Sequence, residues 1–181
     1  PDVSAILNIT PDHLNRHHTM ENYIDAKFNI TSNQTPKDTC VLNYEDEVLR
    51  KAGEQLQCRV LWFSSKRRLQ QGLCLEGEQI VYYPGDREEL SQFDGFAQEL
   101  QGEYVPVIDV KELNIIGKHN YENAMAAIAC AMTLGVPLAL IRKALRSFKA
   151  VEHRIEFVAE KNGVRYYNDS KGTNPDASIQ A

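Results

Sequence analysis

A stretch near the start of the chain, PDHLNRHHTMENYIDAK at positions 11–27, carries residue types that bind metals or move protons. Asp12 and His13 follow a short apolar run, so we expect them where a strand ends. Ligands collect at strand ends in open α/β sheets, which favours a functional role. A single histidine can equally be a hydrogen-bonded structural residue, so both interpretations of His13 stay open.

Lys27 raises a separate question, because the helix predicted from about Met20 to Asn33 puts it on one stripe with Tyr23 and Ala26. Thr19 is the predicted N-cap of that helix. A lysine on a buried stripe must snorkel outward, pair with an acid or lose its charge, and the neutral amine is nucleophilic. Reaction with carbon dioxide would give a carbamate, whose oxygens suit Mg²⁺. A carbamylated Lys27 is therefore one hypothesis, and ordinary snorkelling is the other.

A second candidate site lies in GKHNYENAMAA at positions 117–127. Asn120 and Asn123 are three residues apart at a helix start, so their amides share a face. They could contact a purine edge or simply cap the helix. The segment is not a phosphate loop, since the upstream glycine and the Ser or Thr of G-x-x-x-x-G-K-[ST] are missing.

A third candidate site is NDSKGTN at positions 168–174. If this segment is extended, Asp169, Lys171 and Thr173 face the same way. They would then offer a carboxylate to ribose hydroxyls, an ammonium group to phosphate and a hydroxyl to a substrate. A polar turn is the alternative interpretation.

The elements that would position these residues alternate along the chain. Val3–Ile9, TCVLNYED and RVLWFSS predict strands, and EDEVLRKAGEQLQ predicts a helix, a pattern typical of βαβ units with a largely parallel sheet. LCLEGEQIVYYP predicts an antiparallel hairpin at the sheet edge, and GEYVPVIDVKEL another extended segment. Two helices, to Leu134 and to Phe148, precede two strands around Asn162-Gly163. The change of pattern places a domain boundary near Ala150.

Composition excludes several partner classes. The 181 residues include 20 Lys and Arg against 25 Asp and Glu, a net charge of −5, without a long basic run. This argues against a nucleic-acid or anionic-membrane surface. The four cysteines show no C-x-x-C spacing, and we expect reduced core thiols in the cytosol. Because the chain lacks an initiator Met and enters a strand almost at once, we interpret it as part of a longer protein.

In this order, NITPDHLNRH, a lysine shortly after it, GKHNYENAMAA, HRIE and NDSKGTN resemble the Mur ligase family of bacterial cell-wall synthesis, especially its D-glutamate-adding branch. Each motif alone is weak, but the combination is specific and covers nearly the whole chain. The resemblance implies a three-domain enzyme. Residues 1–150 would be the C-terminal portion of the central ATP-binding domain. Residues 151–181 would begin a Rossmann-like, amino-acid-binding C-terminal domain.

The resemblance also implies residue roles. Lys27 matches a carbamylated lysine, and His13 matches its companion at a Mg²⁺ ion. Lys171 and Thr173 would face the reaction centre and the incoming amino acid. Five residues match positions around the adenine, ribose and phosphates of ATP: Asn120, Asn123, His153, Arg154 and Asp169.

The activity implied by the resemblance is ATP-dependent addition of D-glutamate to UDP-N-acetylmuramoyl-L-alanine through an acyl phosphate. We expect a monomeric, cytoplasmic full-length enzyme and an inactive isolated fragment, since the fragment contains no phosphate loop. Three alternatives remain. The chain could come from another Mur ligase or a folylpolyglutamate synthetase relative, from a non-catalytic nucleotide-binding module, or from a metal-dependent hydrolase using His13 and Asp12.

Overall fold

The computed structural model describes residues 1–11, 14–115, 117–149, 152–153 and 155–172. A six-stranded sheet, in the order β1 to β6, forms its centre. Strands β1 to β4 are parallel, and β4 to β6 are antiparallel. This confirms the predicted α/β class with a mostly parallel sheet and an antiparallel hairpin. The strands are β1 Val3–Ile6, β2 Thr39–Asn43, β3 Arg59–Ser64, β4 Gly72–Glu76, β5 Gln79–Tyr83 and β6 Val105–Asp109.

Helices cover both faces of this sheet because consecutive strand residues point to opposite sides. On β2, Val41 packs in the core beneath the two C-terminal helices. Its neighbours Cys40 and Leu42 pack on the other face with Tyr23 and Leu49, which lie on two N-terminal helices. The helices are α1 Leu14–His17, α2 Met20–Phe28, α3 Glu47–Gly53, α4 Arg87–Leu90, α5 Lys118–Thr133 and α6 Leu138–Ser147.

Several element boundaries and the place of one hairpin in the sheet differ from the sequence prediction. Strand β1 ends at Ile6 rather than Ile9, and α2 ends at Phe28, where a 3₁₀ turn, Asn29–Thr31, replaces the predicted last helical turn. The β4–β5 hairpin exists, but β6 pairs beyond it and forms the sheet edge. The hairpin therefore lies inside the sheet, because the extended segment predicted after it joins the sheet as well.

The C-terminal elements follow their local signals. Gly135, at φ +76°, follows α5 in the left-handed conformation that glycine favours. A separate hairpin, β7 Glu156–Lys161 and β8 Val164–Asn168, turns at Asn162 and Gly163. Both turn residues have positive φ, 54° and 77°, which confirms the predicted type I′ turn. The boundary near Ala150 stays a prediction, and Ala150 lies outside the described residues.

Most of the cysteines lie in the core, as predicted. Cys40, Cys58 and Cys74 are buried free thiols, and Cys130 is a half-buried one. Burial raises the pKa of Cys40 and of Cys74 to about 11, which keeps both thiols protonated and unreactive near neutral pH. Of the helices in the described part of the chain, none has the length and apolarity needed to cross a membrane.

Candidate functional site

The carboxyl ends of β2 and β3 carry a polar cluster that sequence reasoning missed. The Glu45 carboxylate accepts a 2.6 Å hydrogen bond from Ser64 Oγ and a bidentate pair from Arg67, at 2.8 and 2.9 Å. The Glu45 side chain is only 7% exposed. Burial alone would raise the Glu45 pKa, but the hydrogen bonds from Arg67 and Ser64 outweigh it and lower that pKa. Glu45 is therefore held as a carboxylate.

A second carboxylate, Glu122, joins the start of α5 to the same strand ends. It accepts a short hydrogen bond from the Ser65 hydroxyl. Its Oε2 lies 3.5 Å from Asn43 Nδ2. The Asn43 Oδ1 atom accepts a 3.0 Å hydrogen bond from the Glu45 amide, which turns the Asn43 amino group toward Glu122. The first turns of α5 are thus anchored at the edge where ligands bind in open α/β sheets.

The segment after β1 is tied to the same edge through Asp46. Asp46 Oδ2 accepts a 2.6 Å hydrogen bond from the Ile9 amide, and Asp46 Oδ1 caps α3 by accepting a 3.0 Å hydrogen bond from the Leu49 amide. The spacing Asp46–Leu49 is that of an N-cap, so sequence alone could have found this role. The link to Ile9 spans a long sequence separation and required the fold.

Lys27 does not lie on a buried stripe, so that expectation is wrong. Tyr23 is the buried residue of α2, while Lys27 and Ala26 are exposed. The Lys27 ammonium group lies 5.4 Å from the centre of the Tyr23 ring. The face of α2 that packs on the core carries Tyr23, with Met20, Ile24 and Phe28 partly buried beside it, and Lys27 lies outside that face with its ammonium group over the Tyr23 ring. The Thr19 N-cap is confirmed, with Thr19 Oγ1 accepting from the Asn22 amide at 3.2 Å.

The predicted metal site remains a prediction. His13 and Asp12 lie outside the described residues. Within the ranges that the structure describes, no group of three or more His, Cys, Asp or Glu side chains is arranged to hold a metal ion. An unmodified Lys27 ammonium group has no lone pair for a metal, so Lys27 could contribute only as a carbamate.

Asn120 and Asn123 both lie in the first two turns of α5, as predicted. Gly117 is the N-cap residue, at φ +98°, so neither asparagine takes that capping position. Asn120 is half-buried, and its amide N–H donates to the Gly117 carbonyl at 3.0 Å. Asn123 is exposed. Helices α2 and α5 cover opposite faces of the sheet, so Lys27 and the two asparagines approach any shared site from different sides.

At the base of the β7–β8 hairpin, the structure brings three predicted residues together. The Lys171 amide donates to the His153 carbonyl at 3.1 Å. Asp169 Oδ1 accepts a 3.1 Å hydrogen bond from the Ile155 amide. The Asn168 side-chain nitrogen lies 2.8 Å from His153 Nδ1. These local contacts hold His153, Asp169 and Lys171 around one short segment.

The segment after β8 is a turn, which corrects the extended conformation considered from sequence. The Gly172 amide donates to the Asp169 carbonyl at 2.9 Å, closing a four-residue turn. Asp169 and Lys171 therefore do not alternate along a strand, because Asn, Asp, Ser and Gly together favour a turn. Arg154 and Thr173, the other predicted residues of this region, lie outside the described residues.

Comparison with known proteins gives a consistent result. A family profile described as the Mur ligase middle domain matches residues 1–131. A curated protein of Lachnoclostridium phytofermentans, named UDP-N-acetylmuramoylalanine--D-glutamate ligase, is 58% identical over all 181 residues. Proteins of the same name from Lachnospira eligens and Clostridioides difficile are 50% and 44% identical over the same length. The chain spans 36–37% of the length of these relatives.

Solved structures agree on the fold. MurF from Acinetobacter baumannii superposes with a TM-score of 0.66 at 22% identity, covering 99% of this chain and 36% of that one. The MurF ligase of Thermotoga maritima in complex with ADP gives a TM-score of 0.62, also at 22% identity, covering 99% of this chain and 38% of that one. At such identities the similarity concerns the fold alone. With the match of the middle-domain profile over residues 1–131, the chain belongs to the Mur ligase family.

Proposed function

We propose that the full-length protein containing this chain is an ATP-dependent ligase that joins D-glutamate to UDP-N-acetylmuramoyl-L-alanine in peptidoglycan precursor synthesis. The observation that carries this proposal is whole-chain similarity, at 44–58% identity, to relatives named UDP-N-acetylmuramoylalanine--D-glutamate ligase. We propose a monomeric cytoplasmic enzyme in which residues 1–150 contribute to the ATP-binding domain and residues 151–181 begin the amino-acid-binding domain.

The proposed binding of ATP rests on the asparagine side chains at the start of α5 and on residues at the base of the β7–β8 hairpin. Asn amides offer both a donor and an acceptor, the pair that an adenine edge requires. Asn123 is exposed and can reach a ligand, and Asn120 lies one turn before it. His153 and Asp169, which local hydrogen bonds hold together, would approach the adenine and the ribose, and Arg154 the phosphates.

The metal side of the proposal concerns Lys27 and His13. When bound, Mg²⁺ supplies positive charge that neutralises the transferring phosphoryl group. Lys27, as a carbamate, and His13 would hold the ion. Lys27 is exposed, so dissolved carbon dioxide has access to its side chain.

The remaining residues would act on the acyl-transfer step. The muramoyl-L-alanine carboxylate receives the γ-phosphoryl group, and the D-glutamate amine then displaces phosphate from the acyl phosphate to form the amide. Lys171 would stabilise negative charge that develops on the attacked carbonyl oxygen, and Thr173 would orient the amino acid. Placing these residues on a second domain lets closure exclude water, which would otherwise hydrolyse the acyl phosphate.

Phosphate release by the full-length protein tests the proposal. The assay contains Mg-ATP and UDP-N-acetylmuramoyl-L-alanine and compares D-glutamate with L-glutamate, L-lysine and no amino acid. Release that requires D-glutamate supports the proposal. Release that requires another amino acid would assign the protein to a sister ligase. Metal-supported turnover without ATP would instead favour a hydrolase, and nucleotide binding without turnover a non-catalytic module.

Lys27 has its own experiment in the same assay. We expect Lys27→Ala to lose at least about a hundredfold in turnover, since an electrostatic ligand at the reacting phosphate is removed. Short-chain carboxylates should restore part of that activity by replacing the carbamate oxygens. Full activity of Lys27→Ala without added carboxylate would eliminate the carbamate role.

A further inference from the structure

The first turns of α5 are held differently from the rest of the helix. Its buried residues begin at Ala124 and continue through Met125 to Met132, where they pack on the sheet. Residues 118–123, which include the two asparagines, are half-buried or exposed. Among these six residues, Tyr121 packs against the core while only partly buried. Apolar packing therefore holds the body of the helix more firmly than the turns that carry the predicted adenine contacts.

Glu122 is a polar anchor of these turns. Its carboxylate binds the Ser65 hydroxyl and faces Asn43 Nδ2 at 3.5 Å. Both partners are deeply buried, with Ser65 6% and Asn43 7% exposed. Neither partner can move far, because Ser65 directly follows the last residue of β3 and Asn43 is the last residue of β2.

The orientation of Asn43 is also fixed. Its Oδ1 atom accepts from the Glu45 amide at 3.0 Å, so its amino group is the end that faces Glu122. Successive helix residues are rotated by about 100° about the axis. A side chain tied to the sheet at position 122 consequently sets the direction in which positions 120 and 123 point.

We infer that Glu122 is a positioning residue that sets the rotation of the first turns of α5 and thereby aims Asn120 and Asn123 at the adenine ring. The inference rests on the proposed nucleotide-binding function. It adds that adenine selectivity depends on a carboxylate that does not itself touch the nucleotide. The Ser65 hydroxyl and the Asn43 amide share this role.

The test is the affinity of the full-length protein for ATP and for GTP in the presence of Mg²⁺, measured by isothermal titration calorimetry. For Glu122→Ala we expect the preference for ATP over GTP to fall about tenfold, as when a misplaced amide loses one hydrogen bond. Glu122→Gln should keep most of the preference. Its amide can accept from Asn43 and donate to the Ser65 oxygen.

The matched control is Glu47→Ala, which removes a 68% exposed glutamate paired with Lys51 on α3 and should leave the preference unchanged.

A merely structural role of Glu122 would lower the melting temperature without changing the ATP-to-GTP ratio. If Glu122→Ala does not fold, Ser65→Ala removes only the hydroxyl donor and should shift the ratio in the same direction. A folded Glu122→Ala or Ser65→Ala protein with the wild-type ratio would overturn the inference. Failure of the wild-type protein to bind ATP would instead remove the proposed function.

Discussion

The described part of the chain contains two β-hairpins that each turn through two residues but differ in their surroundings. The β4–β5 hairpin turns through Gly77 with positive φ at the first central position, and the β7–β8 hairpin turns through Asn162-Gly163. Nearly all apolar side chains of the first hairpin are buried, whereas those of the second are 46–60% exposed: Phe157, Val158, Val164, Tyr166 and Tyr167.

This difference shows which features are local and which come from packing. The two-residue turn sets strand pairing in both hairpins. Burial depends on what lies against the sheet. For β4–β5 the cover includes aromatic residues from the segment after it, with the Tyr82 ring 5.7 Å from Phe93 and 5.9 Å from Phe96. Equal substitutions in the two hairpins should therefore have unequal effects.

Among the comparisons between the two hairpins, glycine substitutions should give the largest difference in the free energy of unfolding. Gly72 begins β4 at φ +129°, and an added Cβ would overlap with the Trp62 carbonyl oxygen. Gly72→Ala should lower the free energy of unfolding by about 3 kcal/mol or more, because both the backbone and the neighbour must shift. Gly163, at φ +77°, has open space around it, so Gly163→Ala should cost about 1–2 kcal/mol. Urea denaturation of the full-length variants measures both changes, and equal losses would contradict the close approach at Gly72.

A matched pair of valines tests burial directly. Val81 in β5 is 1% exposed, and Val158 in β7 is 60% exposed. Val81→Ala should lower the free energy of unfolding by about 2 kcal/mol through lost transfer energy and a residual cavity. Val158→Ala should change it by less than about 0.5 kcal/mol. A loss at Val158 as large as that at Val81 would mean that another part of the full-length protein covers the β7–β8 hairpin.

Removing the hydroxyl group of a tyrosine should have a smaller effect on stability, and this effect should differ between the two hairpins. Tyr83 in β5 donates a 2.7 Å hydrogen bond to Glu76 Oε1, and burial, followed by that bond, raises the pKa of Tyr83 to about 12. Tyr83→Phe should cost about 1 kcal/mol at pH 8. Tyr167→Phe keeps its ring contact with Phe157, with centroids 5.7 Å apart, and should be close to neutral.

The same tyrosine predicts the direction of a pH effect. The folded pKa of Tyr83 exceeds its usual value of 10, so its contribution to stability is complete below pH 10 and is lost as pH rises through about 12. Denaturation midpoints measured between pH 9 and about 12 should fall less steeply for Tyr83→Phe than for the wild type. An unchanged slope would show that Tyr83 does not contribute to the alkaline loss of stability.

Local patterns predicted most of the fold correctly. The alternation of strands with helices, the Thr19 N-cap and the Asn162-Gly163 turn all depend on residues close in sequence. Each of these predictions is confirmed. The position of β4–β5 within the sheet was predicted wrongly. Whether a hairpin is at an edge depends on the next strand, β6, which pairs across a long intervening segment.

The candidate site was only partly predictable for the same reason. Asn120 and Asn123 share the start of one helix, which the sequence indicated. The spacing around Lys27 predicted a buried stripe with Tyr23 and Ala26, but of these three residues only Tyr23 is buried. Glu122 contacts Ser65 across 57 residues of sequence, so no local pattern could reveal that pair.

The smallest effect on stability is expected for two ion pairs, one beside each hairpin, whose side chains are similarly exposed. Near the first turn, the Lys111 ammonium group binds the Glu78 carboxylate, with side chains 68% and 60% exposed. In the second hairpin, Arg165 Nε lies 3.0 Å from Glu160 Oε2, with side chains 67% and 50% exposed. Exposed ion pairs contribute little, because solvent and salt screen the charges and ordering two long side chains costs entropy.

Glu78→Gln and Glu160→Gln should therefore both leave the urea midpoint unchanged at physiological ionic strength, although one lies beside the buried hairpin and the other beside the exposed one. A shift for Glu160→Gln alone, which persists in high salt, would show that this pair is shielded from solvent in the full-length protein. The contrast between the hairpins would then belong to this segment of chain rather than to the intact protein. Equal, negligible shifts would instead confirm that exposure, and not position in the fold, sets the strength of these pairs.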